Sequence, residues 1–190
     1  MPLPDTIKIS VNDLDEKLIE DIKERYGGAE LSIVINQQSD YQSLTEEEFW
    51  SLIELLDWNQ SDNEAIITPL VETLATHPVG HIYQFQEFLA QKLYSLDQQI
   101  YAEQIGRFAY REGDYFSADH FLHVRACVVA NGKAAYEEIL KSPPAMFKDI
   151  SFEPLLKVAS LAYESATGKN FIYVPTKNID TYSNKAGWAV

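Results

Sequence analysis

The stretch from residue 116 to residue 127, FSADHFLHVRAC, contains an aspartate, two histidines, an arginine and the only cysteine of the chain. If this stretch is helical, His120 and His123 lie about 60° apart around the helix, so both imidazoles can reach one metal ion. The other two histidines, His77 and His81, bracket a Pro-Val-Gly sequence at the start of another predicted helix. Four imidazoles suit zinc, so these two pairs are candidate zinc ligands.

The histidine spacing also fits an ordinary helix flank. Helical two-histidine metal motifs normally place the histidines four residues apart, with a glutamate between them. His120 and His123 are three residues apart, and spacing fixes no third ligand. Histidines bonded to backbone, carboxylate or water are therefore the preferred interpretation. A small metal-dependent hydrolase built on the His120 and His123 region remains the second hypothesis for function.

Arg125 lies in the middle of the same predicted helix, beside its apolar stripe. Its stem can pack there, and its guanidinium then needs an acidic partner. We expect an ion pair with an acid of the predicted helix over residues 46–57. The alternative is a ligand carboxylate or phosphate bound by Arg125 near Asp119, although Asp119 is also a normal first-turn acid favoured by the helix dipole. Cys127 is expected to be buried, because a catalytic cysteine needs exposed, electropositive surroundings.

Acidic residues are concentrated in the first part of the chain. Residues 113–190 contain eight basic and eight acidic residues, so the net charge of −14 arises from residues 1–112. Between Arg25 and Lys92 there are eleven acidic residues and no Lys or Arg. Nucleic acids are bound through Lys and Arg, so we expect no nucleic-acid partner. The acidic stretch predicts either a solvated face or a face that binds a basic protein. The predicted contact residues are Glu46, Glu47, Glu54, Asp57, Asp62 and Glu64.

Length and composition are typical of a globular protein. A chain of 190 residues buries roughly 70% of its unfolded surface and needs neither a metal nor a disulfide to fold. No apolar run approaches the ~18 residues of a membrane helix, so no membrane partner is expected. The first ten residues lack a secretory signal pattern. One cysteine cannot form an internal disulfide, which favours a reducing compartment. We therefore expect a cytoplasmic protein.

Residues 1–36 predict a strand–helix–strand unit. Residues 6–11, TIKISV, alternate as a half-buried strand does, and residues 30–36, ELSIVIN, are the second predicted strand. The segment between them has helical spacing and stops at Gly27 and Gly28. Two strands leave open edges. The edge is expected to be covered by a third strand from residues 171–174, FIYV, or by a homodimer that pairs the N-terminal strands.

The rest of the chain predicts a linker over residues 37–44, a helical domain over residues 45–168 and an extended tail, residues 169–190, packed on that domain. Thr45 and Glu48 have the spacing of a capping box, and Thr68-Pro69 predicts another helix start. The longest predicted helix runs from about residue 81 to residue 105. The predicted fold class is α+β and mainly α, with a small strand–helix–strand unit followed by a larger helical domain.

Five segments between residue 46 and about residue 166 together form a recognisable pattern. They are EEEFW at 46–50, PLVETL at 69–74, IYQFQEFL at 82–89, residues 116–140 and the proline pair at 143–144. On these motifs the sequence resembles a bacterial domain-of-unknown-function family, number 4240. The residues of this chain that match the family pattern of an acid, a phenylalanine, an arginine, a glycine and a base are Asp119, Phe121, Arg125, Gly132 and Lys133.

The chain departs from that family pattern at Val124 and Cys127, where the family often has Phe and Trp. The resemblance implies a helical bacterial protein and no assigned activity. The first hypothesis for function is therefore a protein-binding or regulatory module whose acidic face contacts a protein with a basic surface.

Overall fold

The computed structural model describes residues 15–28 and 42–188. The chain forms two compact units, residues 1–41 and residues 42–190. In the first unit the described residues form helix α1 (Glu16–Tyr26). Asp15 Oδ1 accepts a hydrogen bond from Leu18 N at 2.8 Å and so satisfies one free amide of the first turn. The chain leaves the helix through Gly27 and through Gly28, whose φ of +90° is readily adopted only by glycine.

The described part of the second unit consists of seven α-helices and four short 3-10 turns. The helices are α2 (Glu46–Ile53), α3 (Asn63–Ala75), α4 (Val79–Ser95), α5 (Gln99–Ala102), α6 (Ala118–Ala130), α7 (Gly132–Lys141) and α8 (Val158–Thr167). The 3-10 turns are Gly106–Phe108, Pro143–Ala145, Glu153–Lys157 and Lys185–Gly187. No helix in the described ranges is long and apolar enough to cross a membrane.

The predicted α+β class is wrong. Residues 15–28 and 42–188 form helices, turns and extended segments, with no strand among them. The two predicted N-terminal strands, residues 6–11 and 30–36, lie outside the described residues. The third candidate strand, residues 171–174, is described and has no neighbouring strand.

The alternating pattern of residues 171–174 has another cause. Phe171 and Tyr173 both contact Tyr83 of α4, with ring centroids 5.7 and 4.9 Å apart. Ile172 and Val174 point to solvent and are 91% and 88% exposed. An extended chain lying on helices has the same two-residue period as a half-buried strand, so the period alone does not distinguish them.

Local capping explains where α2 and α3 begin. At α2 the predicted capping box is present, since Thr45 Oγ1 accepts from Glu48 N at 3.2 Å and Glu48 Oε2 accepts from Thr45 N at 2.7 Å. The predicted helix start at Thr68-Pro69 is wrong, because Asp62 Oδ2 accepts from Ala65 N at 2.9 Å and starts α3 earlier. Pro69 therefore lies inside α3.

The predicted long helix from residue 81 to residue 105 is divided in two. α4 ends at Ser95 and α5 begins at Gln99. Between them Asp97 is completely buried. The break turns this carboxylate inward, where amide and indole donors from the C-terminal segment contact it.

The core lies between α2, α3, α4, α6 and α8. α3 and α8 form the most extensive helix–helix contact, and α6 packs on α4, on α7 and on the 3-10 turn Glu153–Lys157. Each fully buried Leu, Ile or Phe contributes roughly 1.5–3 kcal/mol relative to an exposed position. The largest fully buried apolar side chains are Phe49, Phe85, Phe121, Ile53, Ile67, Leu70, Leu74, Ile82, Leu89, Leu93 and Leu96.

Candidate functional site

Residues 54–62 join α2 to α3, and together with the first two residues of α3 they form the α2–α3 corner, residues 54–64. The backbone of this corner folds back on α3, because Asp57 N donates to Ile66 O at 3.0 Å. A turn inside it is closed by Gln60 N, which donates to Asp57 O at 3.1 Å. The corner is thus a fixed turn between two helices that are anchored in the core.

Two of the predicted contact acids build this turn. Asp57 accepts hydrogen bonds from Gln60 Nε2 at 2.7 Å and from both Asn59 N and Asn59 Nδ2 at 3.1 Å. The bond from Gln60, followed by those from Asn59, lowers the pKa of Asp57 below its usual value. Asp62 caps α3, as its bond to Ala65 N shows. Both carboxylates therefore have a structural task in addition to their charge.

The corner also exposes two large apolar side chains. Trp58 is 49% exposed, and Leu55 is 37% exposed. The Trp58 ring packs on Phe152, with ring centroids 5.0 Å apart, so its orientation is held from one side. A partly exposed tryptophan on a fixed turn is a common centre of a protein–protein contact, where Trp is enriched.

Glu54 and Glu64 lie at the two ends of the corner. Both are exposed, and the carboxylate of neither forms a hydrogen bond or an ion pair within residues 15–28 and 42–188. No Lys or Arg occurs from residue 42 to residue 91 to neutralise them. The α2–α3 corner therefore combines an apolar centre with carboxylates that have no partner in the described chain.

Glu46 and Glu47 differ from these two acids, because each has a lysine partner. Glu46 Oε1 accepts from Lys92 Nζ at 2.5 Å and from Trp50 Nε1 at 3.3 Å. Lys92 is only 8% exposed, and its ammonium lies 5.7 Å from the Trp50 ring centroid and 5.4 Å from that of Tyr136. The hydrogen bond from Lys92 lowers the pKa of Glu46. Glu47 is exposed and lies 3.7 Å from Lys133 Nζ.

The two histidine pairs have separate surroundings. The Nδ1 atoms of His77 and His81 are 3.3 Å apart, and His81 Nε2 lies 2.8 Å from the Gln42 carbonyl oxygen. His120 packs edge-on against Phe108 at 4.7 Å. Its Nε2 is buried without a hydrogen-bond partner in the described chain. Burial is the main cause that lowers the pKa of His120.

His123 is half-buried in α6, and its carbonyl oxygen accepts a hydrogen bond from Phe152 N at 3.0 Å. Within the described ranges, no group of three or more His, Cys, Asp or Glu side chains lies close enough to hold a metal ion. The structure therefore does not bring the four candidate zinc ligands into one group, and Asp119 is exposed in the first turn of α6.

Arg125 is completely buried, and the predicted ion pair with an acid of residues 46–57 is wrong. Its Nη1 donates to Leu93 O at 2.9 Å, and its Nη2 donates to Ile179 O at 3.0 Å and to Thr181 Oγ1 at 2.9 Å. The guanidinium also lies 4.9 Å from the Phe121 ring centroid. Burial lowers the pKa of Arg125 to about 10. The side chain thus joins α6 to α4 and to the C-terminal segment, and it is not open to a ligand.

Asp97 is an important residue that the sequence did not identify. Its Oδ1 accepts from Tyr182 N and Trp188 Nε1, each at 3.1 Å. Its Oδ2 accepts from Asn184 N at 2.9 Å and from Ser183 Oγ at 3.2 Å. The only available signal was an acid among the apolar residues of a predicted helix. Together Asp97 and Arg125 fix residues 179–188 on the helices.

Comparison with known proteins identifies the family of the chain. Residues 44–165 match the family model described as protein of unknown function DUF4240. Neither a curated protein nor a solved structure matches the chain significantly. The matched residues run from the start of α2 almost to the end of α8 and include the α2–α3 corner. The chain therefore belongs to the DUF4240 family of proteins of unknown function.

Proposed function

We propose that this chain is a protein-binding module, and that the α2–α3 corner is its contact site. The partner is a protein whose surface combines Lys or Arg side chains with an apolar pocket for Trp58. Regulation by reversible binding, and not catalysis, is the activity that fits this surface. The observation that carries the proposal is the half-exposed Trp58 on a fixed turn, between Glu54 and Glu64, whose carboxylates have no partner among the residues that the structure describes.

Charge and shape support different parts of the proposal. Carboxylates that lack cationic neighbours attract a basic partner and raise the rate of encounter. They contribute little affinity at an exposed rim, whereas a buried aromatic anchor contributes most of the binding energy. The proposal therefore assigns affinity to Trp58 with Leu55, and orientation to Glu54 and Glu64.

The other predicted contact acids contribute less to the proposed contact site. Glu46 is paired with a buried lysine, and Asp57 and Asp62 are bonded to the corner itself. The charges of Asp57 and Asp62 still add to the field around the corner, whereas the charge of Glu46 is balanced by Lys92. All three carboxylates already have hydrogen-bond partners. Glu47 lies in the first turn of α2, at the opposite end of that helix from the corner, and its exposed carboxylate is 3.7 Å from Lys133 Nζ.

A bacterial cytoplasm is part of the proposal. The single cysteine, Cys127, is free and buried in α6, and burial raises the pKa of its thiol to about 11. A thiol of this kind reacts slowly with oxidants and metals, since the thiolate is the reactive form. The role proposed for the chain needs no disulfide and no thiol chemistry.

Affinity capture from an extract of the cells that naturally produce the chain tests the proposal. Immobilised wild-type chain is compared with Trp58→Ala and with Glu54→Lys/Glu64→Lys. The matched control is Glu72→Lys/Glu112→Lys, which makes the same charge change at exposed acids outside the corner. We expect a basic protein to be captured by wild type and control and to be lost from both corner variants. Equal capture by all four proteins would overturn the proposal.

A further inference from the structure

Residues 170–174 form a second exposed surface. They lie in the part of the chain, residues 113–190, whose acidic and basic residues are equal in number. This extended run follows α8 and is anchored on one side only. Phe171 and Tyr173 face the helices, whereas Ile172 and Val174 are 91% and 88% exposed. Exposed β-branched residues at alternate positions are typical of a strand that has a neighbour, and here no neighbour is present in the described chain.

The backbone of this run also lacks hydrogen-bond partners among the described residues. No main-chain N–H or C=O group of residues 170–174 forms a hydrogen bond within the chain that the structure describes. The nearest backbone N–H groups that form hydrogen bonds lie just outside the run. Lys169 N donates to Thr167 Oγ1 at 3.2 Å, and Thr176 N donates to Glu87 Oε1 at 2.9 Å. Within the described chain, the run is therefore an open edge with free donors and acceptors.

A cluster of rings holds the run extended. Tyr163 of α8 contacts Phe171 at 5.2 Å and Tyr83 at 5.8 Å between ring centroids. Tyr173 Oη donates to Glu87 Oε1 at 2.5 Å. A depression of about 550 Å³ lies beside the cluster, and its lining includes Lys169 and Ile172. Because the extended conformation is already fixed, a binding partner loses little of its affinity to ordering this segment.

Local charge indicates the chemistry of an occupant. The chain as a whole has a net charge of −14, yet the depression beside the edge is lined by Lys169 and by no Asp or Glu. At the other end Lys177 is accompanied by Glu87, whose carboxylate is already bonded to Tyr173 and to Thr176 N. The two lysines flank the open edge at its two ends. An extended segment with an acidic residue opposite Lys169 and apolar β-branched residues opposite Ile172 and Val174 is complementary to this arrangement.

We propose that residues 170–174 bind an extended, acidic segment of a partner protein, which adds to this edge as a strand. Backbone hydrogen bonds to the free amide and carbonyl groups supply part of the affinity, and contacts with Ile172 and Val174 supply the rest. This interaction is independent of the α2–α3 corner, since it uses other residues and selects a partner of opposite charge.

The test uses the full chain and a fluorescein-labelled peptide, Asp-Val-Thr-Val-Thr-Val-Asp. Fluorescence anisotropy is expected to show saturable binding below about 1 mM, a weak but specific affinity. A peptide of the same sequence with N-methylated valines cannot donate backbone hydrogen bonds and is expected not to bind. Replacement of both terminal aspartates by lysine is expected to weaken binding. Amide hydrogen exchange at residues 170–174 is expected to slow only with the first peptide.

Ile172→Ser/Val174→Ser identifies the edge as the binding surface. Both side chains are almost fully exposed, so thermal unfolding of this variant is expected to match wild type. Its affinity for the peptide is expected to fall at least about tenfold. The matched control, Ile150→Ser, changes an exposed apolar residue elsewhere and is expected to bind as wild type does.

Three results would overturn the inference. They are the absence of binding up to about 1 mM, binding that survives N-methylation, and binding that is unchanged by Ile172→Ser/Val174→Ser. Light scattering of the unlabelled chain adds a fourth. A dimer that is lost in the same double variant would make a second copy of the chain, and not an acidic partner, the occupant of the edge.

Discussion

Asp97 and Arg125 are both completely buried, yet they are bonded to the same C-terminal segment and not to each other. The carboxylate accepts hydrogen bonds from residues 182, 183, 184 and 188, and the guanidinium donates to residues 179 and 181. No ion pair within 4.0 Å joins the two side chains, although the negative charge of Asp97 favours the charged form of Arg125. The segment from residue 179 to residue 188 therefore satisfies two opposite charges at once.

Asp97→Asn is expected to destabilise the chain by about 2–4 kcal/mol, because an amide supplies one acceptor oxygen and turns a donor towards other donors. Urea unfolding followed by circular dichroism measures the change. Asp114→Asn, at an exposed acid, is the control and is expected to change the free energy of unfolding by less than about 0.5 kcal/mol. A similar small change for Asp97→Asn would show that the buried carboxylate does not hold the segment.

Arg125→Met is expected to cost about 3 kcal/mol, since methionine fills part of the volume but leaves the two carbonyl groups and the Thr181 hydroxyl without their donor. The expected structural signature is faster amide exchange over residues 179–188. Arg111→Met, an exposed arginine, serves as the matched control. Unchanged exchange in this segment would contradict the assignment of Arg125 as its anchor.

Glu46 and Glu47 are adjacent, and we expect them to differ sharply in their effect on stability. Glu46→Gln leaves the buried Lys92 ammonium without its counter-charge and is expected to cost about 1–3 kcal/mol. Glu47→Gln removes only an exposed contact with Lys133 and is expected to cost less than about 0.5 kcal/mol. Chemical denaturation of the two variants at equal ionic strength makes the comparison. Equal losses would mean that Lys92 does not depend on Glu46.

His120 is expected to make the fold sensitive to acid. Burial, helped by the charges of His123 and Arg107 and opposed by Asp149, lowers the pKa of His120 in the folded state. The unfolded chain, with a histidine pKa of about 6.5, then binds the proton more tightly, so the free energy of unfolding falls as pH decreases below about 6.5. His120→Leu is expected to flatten this part of the pH profile and to cost nothing at pH 7.5. If wild type and His120→Leu lose stability in parallel between about pH 7 and 5, a group other than His120 causes the loss of stability.

The sequence predicted features that depend on neighbours in the chain. The capping box of Thr45 and Glu48 is confirmed, because both partners lie within one helical turn. The helical character of residues 46–167 was likewise visible in its apolar spacing. The predicted third strand at residues 171–174 was wrong, because its alternation reflects packing on Tyr163 of the preceding helix and on Tyr83, which is distant in sequence.

The sites depended on distant contacts and were harder to predict. The partners of Arg125 are two carbonyl groups and a hydroxyl, and a search for an acidic partner cannot find them. The inward turn of Asp97 requires knowledge of residues 182–188. Trp58 was not singled out, since its exposure is decided by how the corner folds over Phe152. The charge pattern identified the acidic stretch but not which carboxylates are already bonded.

The central claim is that the α2–α3 corner is a binding site with an apolar centre and an acidic rim. The most direct test is an NMR titration of the full chain with a peptide of alternating Lys and Leu pairs. We predict that shift changes concentrate at residues 54–64, with the Trp58 indole among the largest, and that they weaken as NaCl is raised above about 0.15 M. They should disappear in Trp58→Ala/Glu54→Lys/Glu64→Lys. Changes spread evenly over all exposed carboxylates, or retained in that variant, would contradict the claim.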